Sequence, residues 1–300
     1  MKLKHWVAFL SLTLIWGTSF LWIKIAVREI DPFSLVAFRL AFGLAGLAVF
    51  FPFRKPRIPR EARVWASLAA LGLLSSAIPW VAISWAETTI DSALASVLNG
   101  TVPLFTIVIA HLFLRDDRIT SERVMGLLLG FAGVVVLTQR PGGTSASVVP
   151  EGAGFIGKGA MLLATFSYAL GSVHARRNLH SVDALVQAFF SMVFSLVLIV
   201  GAIAAFGHGL AVPVRTDTWT ALLWLGVLGA GVASLVFYVL LHAVGPTRAS
   251  LVTYTIPVVG VTLGVLILSE KLDWHLVVGM FLIVAGVWAV NRRSTGGERA

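Results

Sequence analysis

Apolar residues run along this chain in blocks of about twenty, parted by short polar gaps, from the first residues to about residue 291. A helix rises about 1.5 Å per residue, so each block is the length that crosses the hydrocarbon core of a bilayer. On that rule ten spans fall near 5–26, 33–51, 64–86, 91–113, 123–139, 155–175, 182–206, 219–241, 246–268 and 275–291. Most gaps are short, so successive spans are expected to run antiparallel. The longest polar gap, PGGTSASVVPEGAG from Pro141 to Gly154, falls midway and reads as a linker.

The pattern repeats. Asp91 to Asp116, DSALASVLNGTVPLFTIVIAHLFLRD, carries a polar cluster and a proline in mid-span. Gly245 to Glu270 echoes it 154 residues later: Ala95-Ser96 falls on Ala249-Ser250, Thr101 on Thr255, Pro103 on Pro257 and Asp116 on Glu270. At the same offset Trp65, Leu68, Leu71, Gly72 and Leu74 fall on Trp219, Leu222, Leu225, Gly226 and Leu228. After a slip of one residue, Gly126 and Ala132-Gly133-Val134 fall on Gly279 and Ala285-Gly286-Val287. An offset that aligns Trp, Gly and Pro together does not follow from a Leu/Val/Ala-rich composition. Each half holds five spans, and an odd number turns the second half over in the membrane. The expected fold is an all-α integral membrane protein, with ten transmembrane helices as two inverted five-helix repeats around a central cavity. The repeats are placed at 1–140 and 155–293, with a linker at 141–154 and a polar, disordered tail at 294–300.

Composition agrees with this and narrows the function. The chain is 58% hydrophobic and 12% charged, with mean hydropathy +0.91, about half the charged share of a soluble protein. The net charge of +9 does not point to nucleic acid, because the Lys and Arg sit in gaps between apolar runs rather than on one face. With the amino-terminus inside, cytoplasmic segments carry 16 of these cations and outer segments 6. Both termini are therefore expected on the cytoplasmic side of the inner membrane. The first apolar run shows no small-x-small cleavage site and is read as a retained helix. There are no cysteines, which removes disulfide, thiolate and Cys-ligated metal chemistry. Neither His-Glu-x-x-His, Gly-x-Ser-x-Gly, an intramembrane carboxylate pair nor a P-loop occurs. The reading is not an enzyme, with no cofactor and no metal.

Candidate site residues are polar or aromatic groups deep in spans. Arg39 is costly at that depth and should face a cavity or a partner, either a cargo carboxylate or an ion pair with Glu87 or Asp91. Asn99 and Thr101 precede Pro103, and Thr253, Tyr254 and Thr255 precede Pro257. A proline frees backbone carbonyls, which a membrane helix tolerates beside neighbours or a wet cavity. Such interruptions at matching places in two halves point to a transporter's binding site, with interhelical bonding as the alternative. Trp16 and Trp80 are candidates for an apolar wall, and Tyr168 and Tyr238 for buried hydroxyls needing partners. Glu87, His111 and His242 are the ionisable groups that proton coupling or gating would draw on. Glu87 and His242 stand close enough to span ends to be merely interfacial. Lys24 sits near the outer end of the first span, free to snorkel or to line a vestibule. Gly126-x-x-x-Gly130 and Gly260-x-x-x-Gly264 permit close helix contact, the first as half of a contact between spans five and ten.

Several of these residues carry a family resemblance. Trp16-Gly17-Thr18-Ser19-Phe20, Asp31-Pro32-Phe33 with Arg39, Ala93 to Pro103, the acidic residue near Asp116/Glu270 and the Gly-rich fifth and tenth spans together resemble the drug/metabolite transporter superfamily, specifically proteins with two EamA domains. The resemblance covers nearly the whole chain. It implies a cavity lined by spans one to four and six to nine, with spans five and ten as a packing pair outside. It adds Ser19 to the cavity candidates and implies export of amino acids or related small metabolites without ATP. Sugar-phosphate, nucleotide-sugar or drug-like cargo, and a non-transporting scaffold, are the alternatives. The partners expected are a small-molecule substrate and the lipid bilayer, in a monomer or weak homodimer.

Overall fold

The computed structural model describes residues 3–113, 121–140, 152–207, 209–244 and 252–291, and all regular structure among them is helical. The helices are α1 (Leu3–Ala26), α2 (Pro32–Ala48), a short α3 (Phe51–Arg54), α4 (Ala62–Gly72), α5 (Ile78–Ala86), α6 (Ser92–Asn99), α7 (Val102–Phe113) and α8 (Ser121–Thr138) in the first part of the chain. They are followed by α9 (Ala153–Asn178), α10 (Ala184–Ala205), α11 (Thr216–Leu223), α12 (Ala233–Val244), α13 (Val252–Leu268) and α14 (Trp274–Asn291). Two π-helical segments join collinear pairs: π1 (Leu73–Ala77) between α4 and α5, and π2 (Trp224–Val232) between α11 and α12. Among the described residues, seven helices are long and apolar enough to cross a membrane, and Val124–Thr138, Thr255–Leu268 and Trp274–Ala289 are shorter apolar helices. This is a helical membrane protein.

Local chemistry sets where the helices start. Asp31 Oδ1 accepts from the amides of Phe33 and Ser34 at the head of α2, with Pro32 in the first turn where no N–H is needed. Asp183 Oδ1 does the same for Leu185 at the head of α10. The head of α6 is different: Asp91 precedes it without making a side-chain cap, and the cap comes from another part of the chain. Glu270 Oε1 accepts from the Ser92 amide and hydroxyl, and Oε2 from the Ala93 amide, each at 2.8 Å.

The most enclosed element is α6. Every residue from Ile90 to Thr101 is buried, so this segment has protein on all sides. Its Ser92, Ala93, Ala95 and Ser96 are small enough to admit α9, α13 and α1. Against Ser96 stands Gly260 of α13, where an added Cβ would collide with the serine side chain. The two halves' mid-span interruptions meet here, since a Cβ on Gly100 would lie 3.5 Å from the Pro257 ring.

Those interruptions are not alike. Before Pro103 the helix breaks: α6 ends at Asn99, and the amides of Gly100 and Thr101 turn back to the carbonyls of Val97 and Leu98 at 3.0 Å. Pro257 instead sits inside the continuous α13. The residue 154 positions after Gly100 is Tyr254, and a tyrosine costs a helix less backbone entropy than a glycine.

The helices α8 and α14 form the expected outer pair. A Cβ on Gly133 would lie 2.8 Å from the Gly279 carbonyl, and one on Gly286 would strike the backbone of Gly126 and Gly130. Elsewhere α1 packs on α13 and along α11, π2 and α12, while α9 packs on α6, α7 and along α4, π1 and α5. In the same way α2 packs on π2, and α10 on α4 and π1.

The hydrophobic pattern predicts plain helix through both π segments. Each has a local reason: Pro79 lies two residues past the end of π1, and π2 holds Gly226, Gly229 and Gly231. A π turn widens the helix and leaves backbone groups out of the regular ladder. Neighbouring helices supply their partners.

Candidate functional site

The carbonyls of the π segments organise the centre of the bundle. Trp16 Nε1 of α1 donates to the Gly229 carbonyl of π2 at 3.1 Å, with its ring 5.2 Å from that of Phe237. Trp224 Nε1, at the start of π2, donates to Thr18 Oγ1 of α1 at 3.0 Å. In the other half Ser167 of α9 donates to the Leu74 carbonyl of π1 at 2.7 Å, and Ser195 of α10 to the Gly72 carbonyl at 2.9 Å. The first helix of each half thus serves the π segment of the other.

Gly229 lets three elements converge. A Cβ there would lie 3.5 Å from Ser19 Oγ of α1 and 3.9 Å from Arg39 Nη2 of α2. Arg39 is buried, and its guanidinium carbon lies 4.0 Å above the Trp80 ring, within reach of a cation–π attraction. Its Nε has no partner, and among the described residues its guanidinium makes no ion pair. The expected alternative pairing with Asp91 is not formed, because Asp91 Oδ2 lies 3.2 Å from Arg140 Nη1. Tyr168 of α9 stands close to both Arg39 and Trp80. Trp16, Ser19, Arg39, Trp80 and Tyr168 therefore form one aromatic and cationic centre.

Glu87 and Lys24 border it. Glu87, which follows α5, is fully buried, and neither carboxylate oxygen has a hydrogen-bond partner. Lys24 is half-buried and turns from that carboxylate to the main chain, donating to the carbonyls of Glu87 at 2.6 Å and Ile90 at 2.7 Å. A cation at the carbonyl end of a helix sits where the helix dipole favours it.

The proline region makes a second cluster. Thr101 is fully buried and donates to the Thr165 hydroxyl of α9 at 3.2 Å, while Thr255 of α13 lies 2.7 Å from the Thr13 hydroxyl of α1. Asn99 is buried with Oδ1 unpartnered, and Pro103 and Pro257 are buried. The side chain of Tyr254 lies outside the described residues, as do Asp116 and the side chain of His242. His111 is exposed near the end of α7, apart from both clusters. Tyr238, half-buried on α12, meets the Phe237 ring edge-on with centroids 5.8 Å apart.

Sequence reading missed a third cluster, counted there as loop charges. Arg140 is buried and holds Asp273 Oδ2 through Nε at 2.5 Å and the Lys271 carbonyl through Nη2 at 2.8 Å, besides its contact with Asp91. Lys158 at the head of α9 donates to the carbonyls of Thr138 and Arg140. Nothing but a 133-residue sequence separation links Arg140 to Asp273, so no local pattern announces them. The glycines of π2 were the available signal for the first cluster.

A membrane bundle whose polar and aromatic side chains turn inward, onto broken backbone, is the class of protein defined so far. The chain belongs to the EamA-like transporter family, whose pattern matches residues 4–139 and 155–292. It is 26% identical over 298 residues to an uncharacterized transporter of Archaeoglobus fulgidus, covering 97% of this chain and 100% of that one. It is 30% identical over 272 residues to the uncharacterized inner membrane transporter YedA of Escherichia coli, covering 89% and 85%. A WAT1-related chloroplastic protein of Arabidopsis thaliana is 26% identical over 296 residues, with 96% and 69% covered. One solved crystal structure shares the fold, with a TM-score of 0.68 at 23% identity over 96% of each chain. The protein is a membrane transporter of this family rather than an enzyme.

Proposed function

We propose that this protein is a secondary transporter that exports amino acids or related small metabolites across the cytoplasmic membrane by alternating access. The observation that carries the reading is Arg39, a buried guanidinium with an unpartnered Nε, stacked on Trp80 where helices of both halves meet. A buried cation needs a counter-charge, and a cargo carboxylate would supply it with the planar fork that arginine matches best.

A repeat between the two halves supports the alternating part. Thr13 and Thr165, Trp16 and Tyr168, and Asp31 and Asp183 are each 152 residues apart, while Thr101 and Thr255, and Trp65 and Trp219, are 154 apart. The helix contacts map onto themselves when the halves are exchanged: α1 on α13 answers to α9 on α6, and α2 on π2 to α10 on π1. Rocking of one repeat against the other around such a centre exposes it to each side in turn. The excess of Lys and Arg in alternate gaps supports an inner membrane location with both termini cytoplasmic.

A phosphorylated or nucleotide-linked cargo would call for several cations at the centre, and Lys24, which borders it, is already held by two carbonyls. The test is uptake of radiolabelled L-amino acids by purified protein in liposomes. Flux of a subset, competed by analogues and lost in Arg39→Ala that still inserts, is the expected result. No amino-acid flux, together with flux of another solute, would replace the cargo class.

A further inference from the structure

The proposed transport reading leaves one buried group without a task, and the inference below rests on that reading. Three carboxylates gather at the ends of α5, α6 and α13, and two are engaged. Glu270 receives three donors from Ser92 and Ala93, and Asp91 faces Arg140. Glu87 is as buried as either, at 0% exposure, yet both its oxygens lack a donor. An ionised carboxylate in that setting is strongly disfavoured, so the site wants a positive partner or a proton.

The groups that face it do not fill the place. Lys24 of α1 is the nearest cation by position, but its ammonium is bound to the main-chain carbonyls of Glu87 and Ile90. Arg39 of α2 acts on Glu87 from above Trp80, and Glu270 acts on it with like charge. From α9 come Tyr168, close to Arg39 and Trp80, and Lys158, taken by the carbonyls of Thr138 and Arg140. A lone carboxylate at the end of α5 and a lone guanidinium on α2 thus stand at one centre, with Trp80 of α5 under the guanidinium.

We infer that the Glu87 carboxylate is a cation site occupied in turn by the ammonium group of a zwitterionic amino-acid cargo and by a proton. When cargo arrives from the cytoplasm with its carboxylate toward Arg39, its ammonium displaces the proton from Glu87. The O–H bond breaks, the proton leaves to the cytoplasm, and an ion pair replaces it with no covalent bond to the cargo. When cargo leaves on the outer side, a proton from that side takes its place. Each turnover moves a neutral zwitterion out and a proton in, so the proton on Glu87 is restored and one positive charge enters per cycle. The same chemistry makes the free ammonium a requirement: an N-acylated amino acid keeps the carboxylate for Arg39 and has nothing to offer Glu87.

The experiment is calorimetric binding of L-amino acids, and of their N-acetyl forms, to the full-length protein in buffers of differing ionisation enthalpy. Proteoliposome flux under an imposed pH gradient runs alongside. The wild type is expected to release a proton on binding an amino acid, to bind the N-acetyl form at least ~10-fold more weakly, and to transport faster with the outside acidic. Glu87→Gln is expected to bind more weakly, with no proton release and no preference against the N-acetyl form. Proton release and N-acetyl discrimination are read on the wild type, so they do not depend on the variant folding. Flux without proton release, or equal binding of the N-acetyl form, would overturn the Glu87 inference and leave the transporter reading standing. No binding or flux of any amino acid would overturn both.

Discussion

The hydroxyls of Thr13 and Thr255 lie 2.7 Å apart, joining α1 of the first half to α13 of the second. The pair has a counterpart in Thr165 and Thr101, 3.2 Å apart, which joins α9 to the break between α6 and α7. In each case the first helix of one half meets the polar residue two positions before the other half's proline. Interhelical bonds of this kind in membranes average about 0.6 kcal/mol. Thr13→Val and Thr255→Val are each expected to lower stability by about that amount. The double variant should cost less than the sum, read as a coupling in a double-mutant cycle of thermal unfolding. Strict additivity would mean that the two hydroxyls do not bond.

Much of this centre was legible in the sequence because it depends on residues that stand out within apolar runs. Arg39, Trp16, Trp80 and Tyr168 are costly or bulky in a span, and their convergence through Gly229 and Trp80 follows from having to turn inward. The stretch singled out from sequence, Asp91 to Asp116, contains the most enclosed helix of the bundle. What sequence could not give was which charges meet. Glu87, close to a span end, reads as interfacial until α1 and α9 are packed over it. Arg140 reads as a loop residue, and Glu270 only as the counterpart of Asp116, until the fold brings them to Asp273 and to the head of α6. The π segments were hidden too, since they keep the same hydrophobic pattern as the helices on either side.

Arg39 is expected to tolerate no replacement in transport, lysine included. Lysine keeps the charge but loses the flat face that lies 4.0 Å over Trp80 and the fork for a carboxylate. Arg39→Lys should reduce initial flux at least ~10-fold, the effect of about 1.4 kcal/mol. Trp80→Leu should weaken the same step by removing the ring, worth about 0.5–2 kcal/mol. Flux by Arg39→Lys at the wild-type rate would show that a point charge suffices.

Glu270 is expected to matter for stability more than its exposed neighbours do. It satisfies the Ser92 and Ala93 amides at the head of a fully buried helix. Glu270→Gln puts an NH2 where an acceptor stood, and the cost should be about 1–3 kcal/mol. Lys271→Gln, one residue on and exposed, should change stability by less than about 0.5 kcal/mol. Thermal unfolding in one detergent compares them directly.

Glycine substitutions separate the α8–α14 contact from lipid-facing surface. Gly286→Ala places a methyl group against the backbone of Gly126 and Gly130, which cannot move aside as a side chain would. Overpacking of that kind costs about 1–3 kcal/mol. Gly159 on α9 has nothing within 4 Å of an added Cβ, so Gly159→Ala should be neutral or stabilise by up to about 1 kcal/mol. If both variants unfold at the same temperature, the two helices are not packed as closely as the glycines indicate.

Asp273 gives its end of the bundle a pH dependence. Burial pushes its carboxyl up, but the Arg140 hydrogen bond, the Leu276 amide and the nearby charges of Arg140 and His275 together hold it below the usual carboxylate range. A carboxyl with a depressed folded value contributes stability that is fully present above its unfolded value, about 3.9 for Asp. That contribution is lost as pH falls through the lower, folded value. Asp273→Asn should therefore be less stable than the wild type by a constant margin between about pH 5 and 8, on the order of 1–2 kcal/mol for a charged hydrogen bond. The margin should shrink only below about pH 4. Arg140→Gln should show a larger loss, because it also strips the buried Asp91 of its partner. Unfolding temperatures measured across pH 3–8 decide it: a margin that already closes between pH 5 and 7 would mean that a group other than Asp273 titrates there.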